Sequence, residues 1–278
     1  MRSLCFTSLF CILTCGYSQN QELKPSSKKE KEWILRSILK DQAHIWTSPL
    51  RISKKDLAIV LPVLALAASS IAFDEEIYTN FKKFQSKNKL VNNVSPIITY
   101  MGDDKTFIGA STLFLVSGAV FDNEKSKRTA LLGYQTFIHA GIVIQVIKHL
   151  ASRQRPSVEN GKDKWNGPAS MFKRYTESFS KYDAFPSGHT IMAWGLATVI
   201  SHQYRNYTWV PIASYTLATA AGLSRVTEDT HWFSDVIIGG SIGYAIGRYV
   251  TRKHQNTNWT LLPQFGKNNA TATMVYRF

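Results

Sequence analysis

Three short stretches of this chain hold residues that could act together on an anion. The first is Lys148-His-Leu-Ala-Ser-Arg-Gln-Arg155-Pro156. The second is Phe185-Pro-Ser187-Gly188-His189, and the third runs from Ser224-Arg225 to His231 and Asp235. His231 and Asp235 are four apart, which on a helix puts them on one face, a turn apart. A carboxylate there can hold one imidazole N–H and leave the other nitrogen aimed outward as a base or nucleophile. Arg225 and Arg155 are planar cations whose forks match the oxygens of phosphate, and Lys148 adds a point charge. Pro-Ser-Gly ahead of an apolar helix presents free backbone N–H groups, an anion site in its own right. Gly188 lets the backbone come close to a ligand, and His189 in the first helical turn could give a proton to a leaving oxygen.

The elements that would position these residues are apolar. Six runs stand out: Leu57–Phe73, Phe107–Phe121, Ala130–Leu150, Thr190–His202, Trp209–Leu223 and Trp232–Val250. The first motif ends the third run, and the second opens the fourth. The third motif joins the end of the fifth run to the start of the sixth. Short connectors favour antiparallel neighbours, so all three motifs meet at one end of a helical bundle. Three cations around one point are costly unless an anion sits among them, and phosphate is the natural candidate.

The constellation resembles the PAP2 family, the type 2 phosphatidic acid phosphatases, whose superfamily also holds bacterial acid phosphatases and vanadium haloperoxidases. Lys-x6-Arg-Pro, Pro-Ser-Gly-His and Ser-Arg-x5-His-x3-Asp are met at every position over residues 148–235. The resemblance implies an all-α helical bundle of about six apolar helices over roughly 50–250. It also implies a metal-independent phosphatase that works through a phosphohistidine intermediate and needs no cofactor. In that scheme His231 is the nucleophile, Asp235 orients it, and His189 is the general acid. Lys148, Arg155, Arg225, Ser187 and the Gly188 N–H hold the phosphoryl oxygens. No metal is expected.

Taken singly, each residue has a plainer reading. Lys148 or Arg155 alone is an ordinary helix-end cation, which the dipole favours. His231 with Asp235 could be a metal pair, but no third or fourth ligand stands at a convincing spacing. Ser187 lacks the Gly-x-Ser-x-Gly elbow of a serine hydrolase. His139, mid-run among apolar residues, reads as a packed core histidine. Trp165, Phe172 and Tyr175 either contact an apolar part of the substrate or anchor the loop that carries them.

The rest of the chain sets the setting. The 278 residues carry 33 Lys and Arg against 19 Asp and Glu, a net charge of +14. A basic balance suits nucleic acid, an anionic membrane or anionic substrates. The chain has no long Lys/Arg block and no zinc-finger spacing, so nucleic acid is not the expected partner; a phosphorylated lipid or small phosphoester is. Residues 1–18 have the shape of a secretory signal peptide and contain all three cysteines. Cleavage there would leave neither disulfides nor a thiolate site.

Residues 19–55 form a polar N-terminal segment with an amphipathic helix over Glu32–Ile45. The helical phosphatase domain covers 56–252, with Asp56 as the N-cap of the first apolar run. The tail 253–278 reads as a β-hairpin, because Ala272, Met274, Tyr276 and Phe278 alternate with polar residues. The expected location is the bacterial envelope, periplasmic or membrane-associated, with integral insertion the close alternative. A soluble acid phosphatase, a vanadate-dependent haloperoxidase and a noncatalytic envelope protein are the competing readings.

Overall fold

The computed structural model describes residues 28–158, 162–170, 176–177, 181–253, 258–266 and 269–277. The expected signal segment, Phe172 and Tyr175 lie outside the described residues. Nine α-helices account for nearly all of the described chain. They are α1 Lys28–Trp46, α2 Lys54–Ala72, α3 Asp74–Lys87, α4 Lys89–Thr99, α5 Asp104–Val120, α6 Glu124–Ala151, α7 Gly188–Gln203, α8 Trp209–Thr227 and α9 Phe233–Lys253. The six apolar runs correspond to α2 and α5–α9. The amphipathic helix expected at Glu32–Ile45 lies within α1. The mixed stretch after Asp74 holds α3 and α4, and α4 carried no clear signal in the sequence.

Residues Ile38–Gln255 make one compact unit. The described residues outside it include the start of α1 and two strands, β1 (Asn258–Gly266) and β2 (Asn269–Arg277), which pair antiparallel with Leu261 opposite Met274. The turn that would join them falls outside the described residues.

Local chemistry explains where the helices start. α2 is capped by Ser53 rather than by Asp56. The Ser53 hydroxyl accepts from the Asp56 N–H, and the Asp56 carboxylate accepts from the Ser53 N–H, a reciprocal capping box. Asp103, Asn123 and Ser187 cap α5, α6 and α7 with their side chains. α6 stops at Ser152, whose left-handed backbone (φ 41°) turns the chain sharply after Lys148.

The bundle closes around α7, and α9 packs most extensively on it. That contact depends on glycine. A Cβ on Gly243 would run into the Ile191 carbonyl, and one on Gly247 would lie 2.7 Å from the Gly195 carbonyl. Around this seam Phe107, Leu132, Val143, Ile144, Ile191, Val199, Ile246 and Val250 form the buried core. The outer faces differ. Ile59, Leu61, Leu64 and Leu66 on α2, Leu113 and Val120 on α5, and Ile212 and Leu217 on α8 are all exposed. α2 and α6 are long and apolar enough to cross a membrane, and only 11% of the apolar window of α2 is buried inside the protein.

Candidate active site

The residues of the three motifs come to one end of the bundle. The Ser187 N–H donates to the Asp235 carbonyl, the Ala184 N–H to the Arg153 carbonyl and the His231 N–H to the Arg225 carbonyl. These three bonds tie the end of α6, the start of α7, the end of α8 and the approach to α9 into one knot. His231, Asp235 and Ser187 are almost wholly buried, and Lys148 and Arg225 nearly so.

His231 stands two residues ahead of α9, so it does not share a helix face with Asp235. Its Nδ1 lies 2.6 Å from the Ala184 carbonyl oxygen, while the nearer Asp235 oxygen is 3.7 Å away. A carbonyl can only accept, so Nδ1 carries the proton and Nε2 keeps its lone pair. Asp235 therefore does not hold the imidazole by a direct hydrogen bond, as the sequence reading expected. Its Oδ2 accepts the Trp232 N–H at 2.8 Å, which caps α9, and its Oδ1 accepts from Arg153 at 2.5 Å. Asp235 stands beside the imidazole at 3.7 Å without a hydrogen bond to it.

The cations have resident counter-ions. Lys148 donates to Asp183 at 3.1 Å, and Arg155 forks onto both oxygens of the same carboxylate at 2.7 and 3.2 Å. Burial pushes the Asp183 carboxyl up, but Lys148 and Arg155 outweigh it and hold the pKa below the usual value. Arg225 donates from Nη1 to Thr99 and to Glu228, both at 2.7 Å, and its buried Nε has no partner among the described residues. Lys148 and Arg155 converge on one carboxylate, and Arg225 keeps a donor without a partner among the described residues. Both suit a phosphate.

The same field governs the histidines. Burial, then Lys148, Arg155 and Arg225, holds His231 well below its ordinary pKa, so it is a neutral base. Burial, then Arg225, lowers His189 to about 4, against a smaller opposing pull from Asp103. Ser187 is the N-cap of α7: its Oγ accepts from Thr190, which leaves its own hydrogen to donate. Gly188 is not forced by crowding, since a Cβ there would make ordinary contact with Ile144 at 3.7 Å. Gly102 is forced, because a Cβ would lie 2.8 Å from the His189 carbonyl. Among the described residues no group of three His, Cys, Asp or Glu could hold a metal ion.

A profile of the PAP2 superfamily matches residues 129–259, somewhat under half of the chain. Residues 129–259 are thus similar to the PAP2 superfamily. A lipid A 1-phosphatase of Porphyromonas gingivalis is 35% identical over 83 residues, which cover 30% of this chain and 19% of that protein. The match thus spans about a fifth of that relative's length. A transmembrane PAP2-type phosphatidylglycerolphosphate phosphatase of Bacillus subtilis superimposes with a TM-score of 0.52 at 20% identity, covering 73% of this chain and 97% of that one. That likeness is one of fold.

The matched region holds every motif residue singled out in the sequence, yet part of the site's surroundings lies before it. Thr99, Gly102, Asp103 and Asp74 all precede residue 129. Inside that region, sequence reasoning passed over Asp183, Glu228, the Ala184 carbonyl and Arg153. Asp183 and Arg153 had a usable signal: each sits within three residues of a motif position. His139 is a buried core histidine bonded to Gln42, and Trp165 anchors its loop through Asp163, Phe185 and Arg153.

Proposed function

We propose that this protein is a phosphatase that hydrolyses a lipid-linked phosphate monoester or pyrophosphate through a phosphohistidine on His231. The observation that carries the reading is the meeting of Lys148, Arg155, Arg225, His189 and His231 at one end of the bundle. The substrate phosphate sits against Lys148, Arg155 and the Nε of Arg225, with the Ser187 hydroxyl and the Gly188 N–H at the start of α7. The His231 Nε2 lone pair attacks phosphorus, and the bond from phosphorus to the leaving oxygen breaks. His189 gives that oxygen its proton. Neutral His189 then takes a proton from water, whose oxygen attacks phosphorus, and the P–N bond electrons return to His231 as phosphate leaves. The cations stabilise the equatorial charge throughout, so the protein supplies the electrostatics that dominate such catalysis.

His189 is neutral in the empty site and must be protonated to act as an acid. A bound dianion among the cations raises its pKa, so substrate binding charges it. Asp235 and the Ala184 carbonyl fix and stabilise the imidazole as it becomes cationic.

A lipid carrier is supported by the outer surface. The α2 face is apolar and unpartnered, as membrane-spanning helices are. α5 and α8 carry exposed apolar residues of their own. The reading is therefore of a domain inserted in the membrane, with α2 and α6 spanning it, in the bacterial envelope. The name of the P. gingivalis relative fits a lipid-linked substrate. The test is phosphate release from a lipid phosphate and from a soluble aryl phosphate, both in EDTA, by the full chain and its His231→Ala variant. Release that survives EDTA, favours the lipid and vanishes in the variant is expected. Equal release by both proteins would overturn the reading.

A further inference from the structure

One buried cation takes no part in the phosphate pocket. Arg153 is fully buried and donates to four side chains. It forks onto Asp163 from Nε at 2.8 Å and Nη2 at 2.7 Å. Nη2 also reaches Asp74 at 2.7 Å, and Nη1 reaches Asp235 at 2.5 Å and Ser234 at 2.7 Å. The guanidinium lies between the rings of Trp165 and Trp232, 4.4 and 5.2 Å from their centroids. All five of its N–H donors are spent on protein acceptors, so none remains for a ligand.

Asp74 completes the frame from outside the matched region. It opens α3, and its Oδ1 accepts the Ser234 N–H in the first turn of α9 at 3.0 Å. Its Oδ2 accepts from the Ser234 hydroxyl as well as from Arg153. The carboxylate that stands behind His231 is thus held by a chain from α3 through Arg153 to α9.

We infer that Arg153, braced by Asp74 and Asp163, is a positioning residue for the proposed reaction: it fixes Asp235 behind His231 and favours its ionised form. This rests on the phosphohistidine reading. The geometry supports it, since the guanidinium that holds Asp235 is itself pinned by Asp74 and Asp163, and the Asp235 carboxylate lies 3.7 Å from the His231 imidazole. Nucleophilic attack makes that imidazole a cation, and the cluster stabilises it. Burial, opposed chiefly by Arg153, lifts the Asp235 carboxyl to about 7, and Asp74 adds to the rise. The groups facing Asp235 are then Arg153 from the loop, Asp74 from α3, and His231 with the Trp232 N–H ahead of α9. Across His231 stand Lys148, Arg155, Arg225 and His189. Weakening Arg153 and neutralising Asp74 therefore act on Asp235 in opposite directions.

The test uses the full chain in detergent, with a lipid phosphate as substrate and vanadate as a probe of the phosphate pocket. Arg153→Lys and Asp74→Asn are compared with the wild type for kcat, KM, the acid limb of the kcat–pH profile, and thermal midpoint. Arg153→Lys should lower kcat at least about tenfold with KM and vanadate affinity little changed, because the loss falls on the step that charges the imidazole. Its acid limb should move to higher pH, and that of Asp74→Asn to lower pH. Loss of thermal stability with both limbs unmoved, or with both moved the same way, would overturn the inference and make the cluster a structural brace. If either variant fails to fold, the direction of the other's limb still decides. A wild-type protein that binds vanadate but releases no phosphate would sink the phosphatase reading instead, a result distinct from failure of the positioning role.

Discussion

At the scale of single residues, the site couples charge to binding. His189 is neutral in the empty pocket because burial and Arg225 hold its pKa near 4. A dianion seated among Lys148, Arg155 and Arg225 raises that pKa, so binding takes up a proton. Affinity should therefore strengthen as pH falls from the bound-state pKa toward about 4. Sulfate is a suitable probe, since it stays a dianion across this range, and Asp183 stays ionised because its own pKa is lowered. Sulfate inhibition at fixed ionic strength should tighten with acid in the wild type and much less in His189→Gln. Affinity that is flat or weakens with acid would contradict this account of His189. The residues proposed to meet the phosphate were legible from type and spacing. Their partners were not, because a carboxylate such as Asp183 earns its role from where a loop returns, and Ala184 contributes only a backbone oxygen.

At the scale of elements, the site is as good as the packing of α9 on α7. The small residues of Gly239–Gly247 read as apolar helix in the sequence, and the structure gives them a purpose. They bring α9 close enough for the Asp235 carbonyl to accept the Ser187 N–H. Gly243→Ala puts a methyl against the Ile191 carbonyl and should cost about 1–3 kcal/mol. A thermal or denaturant melt reads the loss, and an unchanged midpoint would mean the two helices do not depend on this contact. The motifs meet at one end of the bundle, as antiparallel neighbours would place them, and between α6 and α7 this holds across the long connector of residues 152–187. The expected face-sharing of His231 and Asp235 failed for a local reason: Asp235 accepts the Trp232 N–H, so the helix begins only at Phe233. The role of Asp74 was hidden because Asp74-Glu75-Glu76 reads as the end of the first apolar run, whereas it opens α3.

At the scale of the whole molecule, the bundle has an unpartnered apolar flank and two polar ends. Lys148 and Ser157 lie at the site end, and the connector of residues 204–208 follows the far end of α7. If the domain is inserted in a membrane, those ends face opposite sides. The chain has no cysteine beyond residue 15, so single cysteines can be placed cleanly once the first three are replaced. Ser157→Cys and Asn206→Cys should react with an impermeant maleimide from opposite sides of sealed vesicles. Labelling of both from one side would contradict insertion and favour a peripheral domain. Composition alone left this question open, because a buried helix of a soluble bundle and a spanning helix are equally apolar. The difference lies in which face is covered, and that is a property of the fold.

The most direct measurement traps the intermediate. The full chain is mixed with a radiolabelled lipid phosphate, quenched in base and resolved under denaturing conditions. A base-stable, acid-labile label on the wild-type protein that is absent from His231→Ala is the expected result. Label that remains in His231→Ala, or turnover that continues in that variant, would contradict the account.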